Sequence, residues 1–340
     1  MNRTASIKDV ANHASVAVGT VSNVLNYPDR VSQRTKERVL RAIDELGFVR
    51  NDAARQLRAG HSRTIGLIVL DVGNPFFTSV VRAAEDAAAL QGSAVLLGDS
   101  GHDAGREANY IDLFQEQRVQ GLLISPVGDV TERLDLLRER GVPTVLVDRL
   151  ADDEKFSSVA VDDDAGGYLA ARHLLDTGRR RLAFVGGSTS IRQVADRLQG
   201  ARRAVKEEPD ATLEVLASEG MTVLAGRSVG NTLVERDRKD LPDGIFCAND
   251  LLALGIMQSL TMTHTLRIPE DIALIGYDDI DFAVSAVVPL SSIRQPTEAL
   301  GRTAIELLAE EVEAQHPRHR AVIFTPELVV RQSTGTPSAD

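Results

Sequence analysis

Ser6-Ile-Lys-Asp-Val-Ala-Asn-His-Ala-Ser-Val-Ala-Val-Gly-Thr-Val-Ser-Asn-Val-Leu-Asn26 decides how the chain begins. Ser6 followed three positions later by Asp9 has the form of a capping box. The hydroxyl satisfies a free amide at a helix start, and the carboxylate favours the positive end of the helix dipole. A helix therefore starts near Ile7. Ile7, Val10, Ala11 and Ala14 fall at i, i+3, i+4 and i+7, and Val21, Val24 and Leu25 form a second apolar stripe after a turn around Ser15 and Val16. Both stripes need a cover. Ser32 is placed to cap a third helix running to about Leu46, Val39, Ile43 and Leu46 supply its inner face, and Gly47 is placed to end it. With its apolar side used up, the second helix turns Val18, Gly19, Ser22, Asn23 and Asn26 outward. Such a small polar face fits a major groove about 12 Å wide. The reading is a helix-turn-helix, for which DNA is the first partner to consider; a small helical interaction module is the blander alternative.

The rest of the chain is far too long for one head. Of 340 residues 43% are hydrophobic, enough for a body with its own core, and two or three domains are expected. The formal charge of -11 argues against a protein that coats nucleic acid, but it is unevenly spread. Residues 1–60 hold ten Lys or Arg and six Asp or Glu, a net charge of +4, against a net -15 for the remainder. That division suits a basic head that meets phosphates and an acidic body that does not. The lone cysteine, Cys247, excludes an intrachain disulfide framework. No apolar run of signal-peptide length opens the chain, and none approaches the roughly 20 residues of a membrane span, so a soluble cytoplasmic protein is expected. Seven scattered histidines and one cysteine form no metal-binding spacing, and no cofactor is expected.

From Thr64 onward, short apolar runs alternate with amphipathic stretches. The runs are Ile65 to Leu70, Ala94 to Leu97, Gly121 to Ile124, Thr144 to Val147, Leu182 to Val185, Gly244 to Cys247 and Ile272 to Ile275. Continuous runs of this length fit strands buried on both faces. Helix-length segments lie between them, among them Phe76 to Leu90, Ala165 to Leu175, Arg192 to Lys206 and Leu251 to Leu260. The pattern is repeated βαβ with mostly parallel sheets, an α/β fold class. Polar residues follow the strand ends: Asp71, Asp99, Ser125, Asp148, Asn249 with Asp250, and Asp278 with Asp279. In doubly wound folds ligands sit outside the carboxyl ends of the strands.

From Ser6 to about Thr334 the chain resembles the LacI/GalR family of bacterial transcription regulators. Beyond the opening stretch, the resemblance rests on Val31-Ser-Gln-Arg-Thr-Lys-Glu-Arg-Val39, Arg63-Thr-Ile-Gly-Leu67, Asn74-Pro-Phe-Phe77, Phe246-Cys-Ala-Asn-Asp250, Ile275-Gly-Tyr-Asp-Asp279 and Ile293-Arg-Gln-Pro296. It implies a three-helix head over residues 1–50, a hinge helix and linker over 51–62, and a two-lobed periplasmic-binding-protein-like body over 63–340. The chain should pass between lobes near 160, 290 and 322. It further implies a homodimeric repressor on a palindromic operator, governed by a small-molecule effector, most simply a sugar, in the interlobe cleft.

By the same resemblance, Thr20, Ser22 and Asn26 are backbone contacts, and Val18, Gly19 and Asn23 occupy base-reading positions. Val18 offers only an apolar surface to a thymine methyl and Gly19 no side chain, so direct readout should rest on Asn23. Ala17 stands where relatives often carry a capping Ser, which leaves the second helix without a side-chain cap. Asn51 to Arg58 resembles the hinge helix, too short to be stable alone in water; Leu57 would wedge into the minor groove, with Arg55 and Arg58 on phosphates. Arg50 replaces the usual proline before it. In the cleft, Asp71, Asn74, Phe76, Phe77, Asp148, Arg197, Asn249, Asp278 and Gln295 are the candidate effector residues. Carboxylates, amides and an Arg suit hydroxyl groups, and the Phe pair suits an apolar sugar face. Each also has a structural reading: Asn74-Pro75 as a helix start, Asp148 as a cap, Arg197 as one half of an ion pair. Met221 stands where relatives often have an aromatic.

Two other functions stay in view. Gly98-Asp-Ser-Gly101 with His102 and Asp103 superficially resembles a serine-protease loop, but triad members adjacent in sequence do not assemble that geometry, so no enzyme is expected. A stand-alone sugar-binding protein shares the body architecture and lacks the basic head.

Overall fold

The computed structural model describes residues 5–48, 62–128, 131–151, 155–263, 266–314 and 318–335. The chain divides into two compact units, Met1–Ser62 and Arg63–Asp340.

The first unit holds α1 (Ile7–His13), α2 (Val18–Asn26) and α3 (Gln33–Leu46). Its capping box is formed: Ser6 Oγ accepts from the Asp9 amide at 3.3 Å, and Asp9 Oδ2 accepts from the Ser6 amide at 2.8 Å. The turn into α2 passes through Ser15 in the left-handed region, at φ 51°. Val10, Ala11, Ala14, Val21, Val24, Val39 and Ala42 make a small core, with Ile43 and Leu46 at its margin. Gly47 ends α3 at φ 58°, a conformation that costs a glycine little. The start of α3 departs from the expected cap. Ser32 is the N-cap residue, but its hydroxyl bonds the Thr35 hydroxyl at 2.9 Å instead of a backbone amide.

The second unit opens with β1 (Thr64–Val69), α4 (Pro75–Leu90), β2 (Ala94–Asp99), α5 (Ala104–Glu116), β3 (Gly121–Ile124), α6 (Thr131–Glu139), β4 (Thr144–Val147) and β5 (Ser157–Val161). Next come α7 (Asp163–Asp176), β6 (Arg181–Gly186), α8 (Arg192–Lys206), β7 (Thr212–Ala217), α9 (Val223–Val234), β8 (Gly244–Cys247), α10 (Asp250–Thr263), β9 (Ala273–Asp278), α11 (Asp281–Ser285) and β10 (Ser291–Arg294). The last elements are α12 (Thr297–Glu313), β11 (Ala321–Phe324) and β12 (Glu327–Val329).

The strands form two six-stranded sheets, ordered β11-β5-β4-β3-β1-β2 and β12-β10-β9-β8-β6-β7. Every pairing is parallel except β10 with β12. Each sheet is the centre of one lobe. The chain leaves the first lobe after Val161, returns after Arg294 to place α12 against α4, and leaves again after Phe324. Positions 160, 290 and 322 are the sequence-based counterparts of these crossings. In the second lobe the helices pack in close pairs. A Cβ on Gly200 of α8 would overlap the Asp164 carbonyl of α7, and one on Gly226 of α9 would overlap the Leu252 carbonyl of α10.

One strand differs from its expected burial. The run Ala94 to Leu97 reads as buried on both faces, yet it lies in the edge strand β2, with Leu96 and Leu97 39% and 45% exposed. Among the described residues no helix is long and apolar enough to cross a membrane.

Candidate functional site

In the head, α2 begins at Ala17 with no side-chain cap bond, as an alanine dictates. Val18, Gly19, Asn23 and Asn26 are exposed, and Thr20 and Ser22 are half-buried. Asn26 folds back along its own helix, donating to the Ser22 carbonyl at 2.8 Å and the Ser22 hydroxyl at 3.2 Å. Nothing lies within 4 Å of where a Cβ on Gly19 would stand, so packing within the head does not demand a glycine there. Arg55, Leu57 and the rest of the hinge segment lie outside the described residues.

In the body, the carboxyl ends of strands from both sheets meet at a cleft. Asp71, Asn74, Phe76, Phe77, Asp148, Arg197, Asn249 and Asp278 all line it. Gln295 does not line it. It stands behind Asp278, donating to Oδ1 at 2.8 Å. Residues that the sequence reading passed over complete the wall: Leu70, His102, Ile191, Gln193, Val194 and, noted only as a departure, Met221. All stand just beyond a strand end or in the first turns of the helix that follows, the signal that could have found them.

The lobes touch directly across this cleft. Asn74 caps α4, its Oδ1 accepting from the Phe76 amide at 3.0 Å, while its Nδ2 donates to Asp278 Oδ2 in the other lobe at 3.0 Å. Asp148, at the end of β4, accepts from Gln193 Nε2 of α8 at 2.9 Å on its carboxylate and 2.6 Å on its carbonyl. The cavity left between the lobes is about 40 Å³. That holds one or two waters, so any ligand larger than this must separate groups that are now in contact.

Arg197 is anchored from behind. Its Nε donates to Asp163 at 2.7 Å, its Nη1 donates to the Ala248 carbonyl at 2.7 Å, and its guanidinium lies 3.6 Å from the Tyr277 ring centre. Burial alone would favour losing the proton, but Asp163 and its neighbours outweigh burial and hold Arg197 charged. Asn249 is committed too, accepting from the Leu252 amide at 3.0 Å and donating to the Met221 carbonyl at 2.9 Å. Asp71 turns back on the Gly73 amide at 2.7 Å. Phe76 and Phe77 pack edge to face, 4.9 Å between centres.

Electrostatically the wall is acidic. Burial pushes the Asp278 carboxyl up to about 6, against the pull of Arg197, Asn74 and Gln295. Burial, then the repulsion of Asp163, raises Asp148 well above the usual carboxylate range. Burial lowers His102, and the attraction of Asp71 and Asp99 only partly offsets it. Two buried acceptor atoms, Asp148 Oδ1 and Gln295 Oε1, have no hydrogen-bond partner. Asp148 and Asp278 both sit at positive φ, 59° and 104°. Backbone held in that region by side-chain-bearing residues is a frequent mark of functional sites.

The serine of the protease-like loop is tied into the fold. Ser100 is fully buried and gives its hydroxyl to the Val69 carbonyl at 3.1 Å. No cluster of three metal-ligating side chains occurs among the described residues.

Residues 6–51 match the family described as bacterial regulatory proteins, lacI family, and residues 171–334 match a periplasmic binding protein-like domain. The chain is 35% identical over 336 residues to the HTH-type transcriptional repressor PurR of Vibrio vulnificus (strain CMCP6), covering 97% of this chain and 98% of that protein. Two solved structures are similar over nearly the whole length. The lac repressor dimer bound to operator and the anti-inducer ONPF aligns with a TM-score of 0.83 at 25% identity, over 98% of this chain and 100% of that one. The transcriptional regulator CelR in complex with cellobiose aligns with a TM-score of 0.69 at 31% identity, over 97% and 99%. An uncapped but exposed reading helix, a two-lobed body with a polar cleft, and relatives that share both place this chain in the lacI family of bacterial regulatory proteins.

Proposed function

We propose that the chain is a cytoplasmic transcriptional repressor that binds a palindromic operator as a homodimer and is controlled by a sugar or sugar derivative in the interlobe cleft. The repressor role is supported by the PurR relative, the dimer on operator by the lac repressor, and the sugar by CelR with cellobiose. In this reading Asn23 reads bases beside Val18 and Gly19, Thr20, Ser22 and Asn26 hold the backbone, and Arg55 and Leu57 act in the hinge. Asp71, Asn74, Phe76, Phe77, Asp148, Arg197, Asn249 and Asp278 meet the effector, with Gln295 positioning Asp278.

The observation that carries the mechanism is the direct bonding of the lobes through Asn74 with Asp278 and Asp148 with Gln193. An effector that takes over these groups changes the free energy of one lobe arrangement relative to another, and only such a difference can alter DNA affinity. Tight binding alone would change nothing. The test joins two assays. Gel shift on the gene's own promoter region should show sequence-selective binding at moderate salt, and its absence refutes the regulator. A thermal-shift screen of sugars, nucleosides and purines should find a ligand that raises Tm by mass action. Asp278→Ala should abolish that shift and leave operator binding intact; a persisting shift refutes the cleft.

A further inference from the structure

We propose that Arg30, held against the ring of Tyr27, is a phosphate contact at the far end of the reading helix, and that Tyr27 is its positioning residue. The proposal rests on the regulator reading above and adds two side chains to the DNA contacts assigned there.

Three features of the head carry it. The first is position. Gly19, Asn23 and Tyr27 follow one another at four-residue steps along one face of α2, and the Tyr27 amide donates to the Asn23 carbonyl at 2.7 Å. At 1.5 Å per residue, Tyr27 stands about 12 Å along the axis from Gly19. That is about the width of the major groove. A helix whose first turn meets base edges therefore brings Tyr27, and the turn that follows it, to the phosphate rim of the groove. The second is rigidity. Pro28 fixes the backbone just after Tyr27, the Arg30 amide donates to the Tyr27 carbonyl at 2.9 Å, and Val31 packs at the margin of the head's core. Across this closed turn the Arg30 guanidinium lies 4.8 Å from the Tyr27 ring centre, within cation–π range. A side chain already held in place loses less freedom when it meets its partner. The third is availability. Tyr27 is 53% exposed, Arg30 is exposed as well, and neither belongs to the core of the head. The body has a comparable stack, Arg203 on Tyr168, but there Asp164 pairs with the guanidinium. Among the described residues no carboxylate pairs with Arg30, its neighbour Asp29 included. An exposed guanidinium that is oriented but not neutralised is a donor for a phosphate.

The experiment follows binding of the full-length protein to the gene's own promoter fragment and to an unrelated duplex of equal length, by fluorescence anisotropy between about 50 and 200 mM salt. Each neutralised phosphate adds about 0.9 to the fall of log K with log salt, so Arg30→Ala should flatten that slope by about 1.8 in a dimer with two heads. The wild type's advantage over the variant should then shrink about tenfold across this range. Arg30→Gln, which keeps the stem against the ring, should lose the same slope, and Arg30→Lys, which keeps the charge, should retain it. Preference for the promoter fragment should stay within about twofold in all three, because phosphates carry no sequence. Tyr27→Ala should weaken binding to both duplexes about tenfold, about threefold for each head, and Tyr27→Phe, which keeps the ring, should bind within about twofold of the wild type. A slope that falls by less than about 1 in Arg30→Ala and Arg30→Gln, or falls equally in Arg30→Lys, overturns the proposal and leaves the regulator standing. So does a larger change of preference, which would make Arg30 a base contact, or a Tyr27→Phe as weak as Tyr27→Ala. A wild type that binds neither duplex overturns the regulator reading itself.

Discussion

Replacing Asp278 with asparagine separates the shape of the cleft from its charge. Burial lifts this carboxyl to about 6 from an ordinary 3.8, and each unit of pKa corresponds to about 1.4 kcal/mol. The ionised carboxylate therefore costs the folded body about 3 kcal/mol. The sign follows from linkage: the folded state holds the proton more tightly than the unfolded chain. The cost is absent below about pH 4, grows between the unfolded and folded values, and is fully present above about pH 6. Asparagine keeps the shape without the charge, but it presents one donor where there was an acceptor, toward Asn74 or Gln295. The unpartnered Gln295 Oε1 can turn to receive it, which limits the loss to about 1 kcal/mol. Asp278→Asn should therefore stabilise the effector-free protein by about 2 kcal/mol at pH 7.5, a rise in Tm of roughly 4–8 °C. That advantage should fall to near zero by about pH 4.5. Urea unfolding followed by circular dichroism across this range measures both quantities. A variant less stable than the wild type at pH 7.5, or a difference that ignores pH, would refute the account.

Arg197→Met should cost about 3–5 kcal/mol in urea unfolding, because it strands the buried Asp163 without its guanidinium; a loss below about 1 kcal/mol would show that Asp163 does not need the charge. Ala17→Ser should supply the missing cap of α2 and stabilise that helix start by about 1 kcal/mol. Hydrogen exchange at the amides of Thr20 and Val21 should then slow about fivefold, and unchanged exchange would mean the start is already firm. Asn23→Ala should reduce operator discrimination by about 1–3 kcal/mol and leave binding to unrelated DNA within a factor of about two, read by competition gel shift. Equal losses on both DNAs would make Asn23 a backbone contact.

The head was legible because its signals are local. The capping box at Ser6, the two stripes and Gly47 involve residues within a few positions of one another, and local physics suffices for them. The strands that are apolar runs were legible for the same reason. β5 and β10 were not, because they carry serine pairs that resemble loop sequence. Ser157 is buried only because Glu311, 154 residues away, accepts its hydroxyl at 2.6 Å, and Ser292 because Asp250 accepts its hydroxyl at 2.7 Å. No window of sequence contains those partners. β7 escaped for the opposite reason: it is a partly exposed edge strand carrying Glu214. The cleft shows the same division. Asp148 and Asp278 stand at strand ends and announce themselves, whereas Gln193 matters only because Asp148 faces it, and Asp163 only because Arg197 needs a counter-ion.

The three passages between the lobes also fix an order of events on the ribosome. The head, complete within the first 48 residues, emerges with everything its small core needs. The first lobe cannot close when its early strands appear, because α12 and β11 are made after most of the second lobe. A chain arrested anywhere between Phe48 and Thr297 would thus carry a finished reading head and an unfinished sensor. Quality control of truncated products is consequently a matter of gene regulation as well as of protein hygiene, since such fragments would have the means to approach DNA and none of the machinery that makes the approach answer to an effector.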